Sequence, residues 1–327
     1  MTRPTILPAA SPATAALAQV APEAGGALLI DRAALVGNWR MLAENSAPAE
    51  TAAVVKADGY GLGIDEVAPA LSRAGCRSFF VALAAEGVAL RKLLPRARLF
   101  VLAGAAPESI AVLRKHELIP VLNDLDQLAA WRPTGAPAGL HLDTGMNRLG
   151  LGPAALAKLT LNPALLSGLK IVLLLSHLAC SEDPAHAMNA RQRDQFRAAR
   201  DLLLPHLPGV QASLANSGGI LLGRDFAFDL VRAGIALYGA DPDGTTSCRV
   251  RPVAQLHGRI LQLRDVDPGM SVGYGATHHM AHAARLATVA VGYADGYPRS
   301  LSGGGTGYFG ETPLPLIGRV SMDLTVF

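Results

Sequence analysis

The chain is 327 residues long, half of them hydrophobic and only 17% charged, which supports a large core and more than one domain. A net charge of +3, spread along the chain, is too mild for a nucleic-acid-binding surface. Cys76, Cys180 and Cys248 are far apart and form no C-x-x-C pair, so they read as free thiols of a reducing cytosol, excluding a disulfide frame or a cysteine zinc site.

Residues 1–26 read as a disordered, Ala/Pro-rich leader: Pro8, Pro12 and Pro22 interrupt any signal-peptide core, and only Arg3 precedes it. From residue 27 to about 240 the chain alternates. Short β-type runs at 51–57, 78–83, 98–103, 118–123, 139–144, 170–178, 211–216 and 228–238 are separated by amphipathic stretches at 63–74, 86–94, 108–115, 125–131, 152–159 and 187–204. Eight parallel-type strands with helical crossovers predict a (β/α)8 barrel. The structural alternative is a doubly wound sheet, but no G-x-G-x-x-G closes a strand. The strongest apolar run, Ile171 to Leu175, leads straight into Ser176 and His177 and falls far short of the roughly 20 residues of a membrane span.

In the first of these strands the apolar run Ala53-Val54-Val55 delivers Lys56 to the mouth of the glycine-rich Ala57-Asp58-Gly59-Tyr60-Gly61. Such a lysine lays its stem along a buried strand and either snorkels to water or loses solvation. Desolvation favours the neutral amine, a nucleophile towards an aldehyde. A barrel of this kind draws its chemistry from the C-terminal ends of its strands. Polar residues and glycines collect there: Lys56, Asp143 with Arg148, His177, Asn216 with Ser217, and Arg232 with Gly234. The loops after strands seven and eight, Asn216-Ser217-Gly218-Gly219 and Arg232-Ala233-Gly234-Ile235, offer a hydroxyl and glycine N–H groups suited to a phosphate. A phosphate-bearing aldehyde would join the two features.

Beyond the turn-rich Asp241-Pro242-Asp243-Gly244 the texture changes, and residues 241–327 read as a separate, mostly β domain with runs at 254–263, 286–291, 314–317 and 322–327. The chain stops inside the last of these, which reads as an incomplete, truncated domain.

Seven segments occur in order: Val54-Val55-Lys56-Ala57-Asp58-Gly59-Tyr60-Gly61, Asp143-Thr144-Gly145-Met146-Asn147-Arg148-Leu149-Gly150, Ala215-Asn216-Ser217, Val231-Arg232-Ala233-Gly234-Ile235-Ala236-Leu237-Tyr238-Gly239, Val272-Gly273-Tyr274-Gly275, Gly292-Tyr293-Ala294-Asp295-Gly296-Tyr297-Pro298-Arg299 and Gly318-Arg319-Val320-Ser321-Met322-Asp323. Together they resemble the alanine racemase family, pyridoxal-phosphate enzymes of barrel-plus-β architecture, and the likeness runs from about Leu28 to Phe327. The resemblance implies interconversion of L-alanine and D-alanine by two bases, supplying D-alanine for peptidoglycan, in a cytoplasmic homodimer with shared active sites.

By that resemblance Lys56 holds pyridoxal 5'-phosphate covalently and serves one face of the substrate. Tyr274, supplied by the partner subunit, serves the other, supported by His177 and Arg232. Arg232 faces the pyridine nitrogen, and because an arginine stays protonated the nitrogen does not. Arg148 holds the substrate carboxylate. Tyr60, Asn216, Ser217, Gly234 and Ile235 bind the cofactor, the last two through backbone N–H groups. Met322, through its backbone, and Asp323, both supplied by the partner subunit, line the substrate side, and Tyr293 gates the access channel.

Two departures stand out. The family often carries a lysine, modified to a carbamate, seven residues before the arginine; here that residue is His141, so a bound anion or a water network would orient Arg148 instead. Relatives also continue for several tens of residues and supply a further phosphate-binding tyrosine. The rival readings are an inactive or cofactor-binding-only fragment, a racemase of broader specificity, and a basic amino-acid decarboxylase, against which Arg232 speaks. His278, His279 and His282 lack a carboxylate or cysteine beside them and read as a solvated loop with no metal.

Overall fold

The computed structural model describes residues 20, 21, 23–242, 244 and 250–327; the expected leader up to residue 19, Asp243 and Cys248 lie outside these. The chain divides into two compact units: residues 30–254, and the N-terminal segment up to Leu29 together with Gln255–Phe327.

The larger unit is a (β/α)8 barrel. A first strand, β1 (Gly26–Ile30), leads to helix α1 (Arg32–Ser46), whose N-terminus is capped by Asp31 accepting from the Ala34 N–H at 2.8 Å. The barrel strands follow: β2 (Glu50–Val54), β3 (Ser78–Val81), β4 (Arg98–Val101), β5 (Ile119–Leu122), β6 (Pro137–His141), β7 (Lys170–Leu175), β8 (Gln211–Ser213) and β9 (Leu230–Ala233). All pair in parallel in chain order, and β2 pairs with β9. The circuit closes where Asp229 N–H donates to Ala212 O at 3.0 Å and Arg232 N–H to Ala215 O at 2.9 Å. The crossovers are α2 (Ile64–Arg73), α3 (Ala84–Leu93), α4 (Ile110–Lys115), α5 (Leu125–Trp131), α6 (Pro153–Leu161), α7 (Ala187–Leu203) and α8 (Ser217–Leu221).

These strands form because parallel strands are covered on both faces and so tolerate continuous apolar runs. Ala52, Val54, Phe80, Phe100, Val121, Leu173, Leu175 and Leu230 point inward, with the Phe80 and Phe100 rings stacked 4.6 Å apart. Their neighbours, such as Ala53, Phe79, Leu99, Leu122 and Leu174, face the helices. The floor is polar: the Arg98 guanidinium reaches Glu50 at 2.5 Å, Ser78 Oγ at 2.8 Å and Gln211 Oε1 at 2.7 Å, all at strand starts. The opposite, C-terminal end is left open for a site.

The strands stop one to five residues before the apolar runs do, because the last residues of each run peel off into loops above the barrel. Helix α1 does not show in the periodicity, since buried Asn38 sits in its apolar face, donating to Leu237 O at 3.2 Å and Arg251 O at 2.9 Å.

The smaller unit is mostly β. Strand β10 (Ala254–Gly258) pairs with β1. Strands β11 (Ile260–Val266), β14 (Ala284–Val289) and β17 (Thr325–Val326) form an antiparallel sheet in the order β11-β14-β17. Strands β12 (Ser271–Val272) and β13 (His278–His279) form one hairpin and β15 (Thr306–Phe309) and β16 (Thr312–Pro315) another. Among the described residues no helix is long and apolar enough to cross a membrane.

Candidate active site

A cavity of about 390 Å³ opens at the C-terminal end of the barrel strands, and its described lining comes from the barrel unit. Lys56, Tyr60, Arg148, His177, Asn216, Ser217, Arg232, Gly234 and Ile235 all line it, as do His141, Glu182 and Asp241. Each stands at the end of a strand or in the segment that follows it, Arg148, Glu182 and Asp241 lying farthest along.

Lys56 follows β2 and is half-buried. The backbone then runs through a left-handed turn: Ala57, Asp58, Gly59 and Tyr60 all have φ between 54° and 64°. Gly59 is tightly packed as well as left-handed, since a Cβ there would stand 3.2 Å from Val67. The Tyr60 ring stacks on Tyr238 at 4.3 Å, and the Tyr238 hydroxyl donates to Val54 O at 2.9 Å. Burial raises the pKa of both phenols, so both stay protonated as donors.

Arg232, on β9, is the buried centre of the site. One nitrogen donates to Ser213 O at 3.0 Å and Ser213 Oγ at 2.5 Å, the other to Ser176 O at 2.5 Å, Leu214 O at 3.3 Å and His177 Nδ1 at 3.2 Å. Every partner is neutral. Burial lowers the arginine to about 10, which still leaves it charged at neutral pH. Because a guanidinium only donates, His177 Nδ1 accepts and its proton sits on Nε2. Burial first, and then the Arg232 and Arg148 charges, push His177 down to about 3. Buried Gln192 on α7 holds the histidine from behind, donating to His177 O at 2.9 Å.

Arg148 rides an exposed loop pinched at its base by the Leu142–Leu151 bridge, and the Asp143 carboxylate accepts from the Gly145, Met146 and Asn147 amides at 2.9 to 3.2 Å. Nearby, His141 Nδ1 lies 2.8 Å from Asn123 Oδ1. The Asn123 amide nitrogen donates to Leu102 O and Val121 O, so its oxygen faces the ring and His141 is the donor. Burial, then Arg232, lower His141 to about 4, so a neutral imidazole stands there.

The last wall is built for an anion. Ser217 Oγ accepts from the Gly234 N–H at 2.9 Å and the Ala236 N–H at 3.2 Å, leaving its hydroxyl proton for a ligand. Asn216 caps α8, its Oδ1 accepting from the Gly219 N–H and the Ser181 hydroxyl at 2.9 Å each. A Cβ on Gly234 would stand 2.8 Å from the Tyr60 hydroxyl, so the glycine keeps this cleft open. Three cations, Lys56, Arg148 and Arg232, face two carboxylates, Glu182 and Asp241. Tyr274, Tyr293, Met322 and Asp323 belong to the smaller unit, where all four are exposed. Asn123, Gln192, Tyr238 and Glu182 escape sequence reasoning, although Tyr238 sits inside one of the seven motifs.

Residues 30–242 match the family described as alanine racemase, N-terminal domain, and residues 253–327 the one described as alanine racemase, C-terminal domain. The chain belongs to the alanine racemase family. It is 48% identical over 320 residues to the alanine racemase of Brucella abortus (strain 2308), covering 92% of this chain and 80% of that protein. The alanine racemase of Rhizobium meliloti (strain 1021) is 43% identical over 320 residues, 93% of this chain and 83% of the relative. Among solved structures, alanine racemase from Bartonella henselae with covalently bound pyridoxal phosphate superposes with a TM-score of 0.85 at 42% identity, covering 93% of this chain and 85% of that one. The biosynthetic alanine racemase of Pseudomonas aeruginosa gives 0.84 at 33% identity over 92% and 85%.

Proposed function

We propose that this chain interconverts L- and D-alanine with pyridoxal 5'-phosphate held in the barrel cavity. The observation that carries this reading is Arg232: a wholly buried guanidinium, held by neutral acceptors only, in the same cavity as a half-buried lysine and a cleft for an anion. The residues fit the cofactor. Its size suits a cavity of this class; the Ser217 hydroxyl, Tyr60, Asn216 and the Gly234–Ile235 backbone would surround the phosphate; Lys56 would hold the aldehyde carbon; and Arg232 would face the ring nitrogen. When bound, the cofactor supplies an aldehyde for the amino group and a conjugated ring that accepts the electron pair left at Cα.

The chain's own groups do the rest. Lys56 moves a proton at Cα on one face. Tyr274 moves one on the other, which demands a phenol activated well below its ordinary pKa near 10. His177, whose Nε2 carries a proton, and Arg232 support that exchange electrostatically. Arg148 orients the substrate by its carboxylate, and Met322 and Asp323 of a second copy of the chain line the substrate side while Tyr293 gates the channel. Tyr274 reaches the site from a second copy of the chain, so the working unit is a cytoplasmic homodimer. Fixed charges around Cα are set before the substrate arrives, which is where preorganised sites gain most of their rate.

The test is complementation. Lys56→Ala and Tyr274→Phe chains should each be inactive in forming D-alanine from L-alanine, and Lys56→Ala should lose borohydride-fixable cofactor. After unfolding and refolding together they should regain roughly a quarter of wild-type activity, since a mixed two-fold dimer rebuilds one intact site. No recovery, with mixed dimers demonstrably formed, would place Tyr274 in its own subunit's site; full activity of Tyr274→Phe alone would end the two-base scheme.

A further inference from the structure

The backbone after Lys56 takes a path that residues bearing a Cβ avoid, and one side chain outside the cavity holds it there. That side chain is Glu86, on α3. Its Oε1 accepts from the Ala57 N–H at 2.6 Å, and its Oε2 from the Ala82 N–H at 2.7 Å and the Leu83 N–H at 3.0 Å. One carboxylate thereby binds the residue next to Lys56 to the end of β3, the strand beside β2. The far side of the turn is tied by the Asp58 side chain, which accepts from the Ile64 N–H at 2.8 Å at the start of α2, and by the Gly61 N–H donating to Ala57 O at 2.8 Å.

The turn matters for what it presents. A helical turn of either hand brings residues four apart onto one side. Lys56 and Tyr60 are four apart, with the left-handed residues between them, and both line the cavity. An ordinary right-handed continuation from Val55 would wind the chain the other way and send the two side chains elsewhere. Glu86 itself takes no part in the lining.

We infer that Glu86 is a positioning residue: its carboxylate, by gripping the Ala57 amide, fixes the left-handed turn that aims the Lys56 amine and the Tyr60 hydroxyl into the cavity together. The role needs a carboxylate. Three N–H donors converge on two oxygens, and a glutamine would turn its own NH2 towards at least one of them.

The inference rests on Lys56 being the cofactor's anchor, and its test separates the two. Glu86→Gln is prepared as holoenzyme beside wild type and Asp124→Ala, a variant that removes a comparable helix cap on α5, where Asp124 accepts from the Gln127 N–H at 2.7 Å. The readouts are the fraction of Lys56-containing peptide carrying borohydride-fixed pyridoxal phosphate, the cofactor dissociation constant by absorbance, and kcat and KM for L-alanine. Glu86→Gln should fold, bind cofactor at least tenfold more weakly and lose at least tenfold in kcat, with KM changing less than threefold because Arg148 rides another loop. Asp124→Ala should soften melting and leave cofactor linkage unchanged.

If Glu86→Gln melts lower but links cofactor and turns over within twofold of wild type, Glu86 is only a helix cap and the inference fails. If wild type itself carries no cofactor on Lys56, the anchor assignment fails instead. Should Glu86→Gln not fold, amide exchange in the wild-type holoenzyme decides: slow exchange of the Ala57 hydrogen supports the grip, and exchange at the rate of a free peptide overturns it.

Discussion

Acid should unfold the barrel through two histidines. His141 and His177 are held near 4 and 3, chiefly by burial and then by the Arg232 charge, with Arg148 adding to both and Asp143 opposing the shift at His141. In the unfolded chain each titrates near 6.5. A base whose folded pKa is depressed lends its full support above the unfolded value and loses it as pH falls from there towards the folded value. At pH 5 the unfolded chain has protonated both rings while the folded chain has protonated few, so each costs about 1.5 pH units at 1.36 kcal/mol, or about 2 kcal/mol, and the pair about 4 kcal/mol. Trp39 and Trp131, the chain's two tryptophans, both lie in the barrel unit, so their fluorescence in urea reports the barrel. The measurement uses cofactor-free protein, because a bound phosphate would draw both imidazoles upward. The fall in unfolding free energy from pH 7 to pH 5 should shrink by about 2 kcal/mol in His141→Gln relative to wild type, since all other titrating groups are common to both. Equal falls in the two proteins would refute the claim that His141 is held neutral.

Two further perturbations probe the same cavity. Arg232→Leu strips donors from Ser213, Ser176, Leu214 and His177, so the barrel's urea midpoint should drop by the equivalent of about 3–5 kcal/mol and the His177 pKa should rise towards its ordinary value; an unmoved midpoint would mean the charge is dispensable to the fold. Gly234→Ala brings a methyl to 2.8 Å from the Tyr60 hydroxyl, and should weaken pyridoxal phosphate binding about tenfold, roughly 1.4 kcal/mol, while leaving phosphate-free pyridoxal unaffected. Equal weakening of both ligands would move the phosphate elsewhere.

The barrel was legible because its strands are covered on both faces. Runs such as Phe79-Phe80-Val81 and Leu173-Leu174-Leu175 carry no polar residue to blur them, and where polar residues follow directly, as Ser176 and His177 follow the second, they mark the open end. Lys56, His177 and Arg232 stand out for that reason alone. What escaped depends on partners far along the chain. Asn123 meets His141 across 18 positions, and nothing at either position announces the other. Helix α1 was hidden by Asn38, whose partners lie 199 and 213 residues away. In the smaller unit, strands such as β11 expose Ile260, Leu261 and Leu263 on either side of Gln262, a pattern without the buried-and-exposed alternation of a half-buried strand, so their bounds and pairings were not readable.

The left-handed turn after Lys56 is the extreme case of such hidden dependence, and its energetics explain how Ala57 and Asp58 can occupy it. Three of the four left-handed residues carry a Cβ, at roughly 1–2 kcal/mol each, or about 3–6 kcal/mol in all. Against this stand the two charge-assisted bonds that the turn itself makes, Ala57 N–H to the Glu86 carboxylate and Ile64 N–H to Asp58, at roughly 1.5–3 kcal/mol apiece, or about 3–6 kcal/mol in all. The two sums overlap, so the strain is met within the motif and draws nothing from the barrel core. A turn balanced locally is set before any ligand arrives. In the role proposed for them, Lys56 and Tyr60 therefore need no rearrangement to receive an aldehyde and a phosphate at once, and the entropy of ordering them is spent in folding rather than in binding.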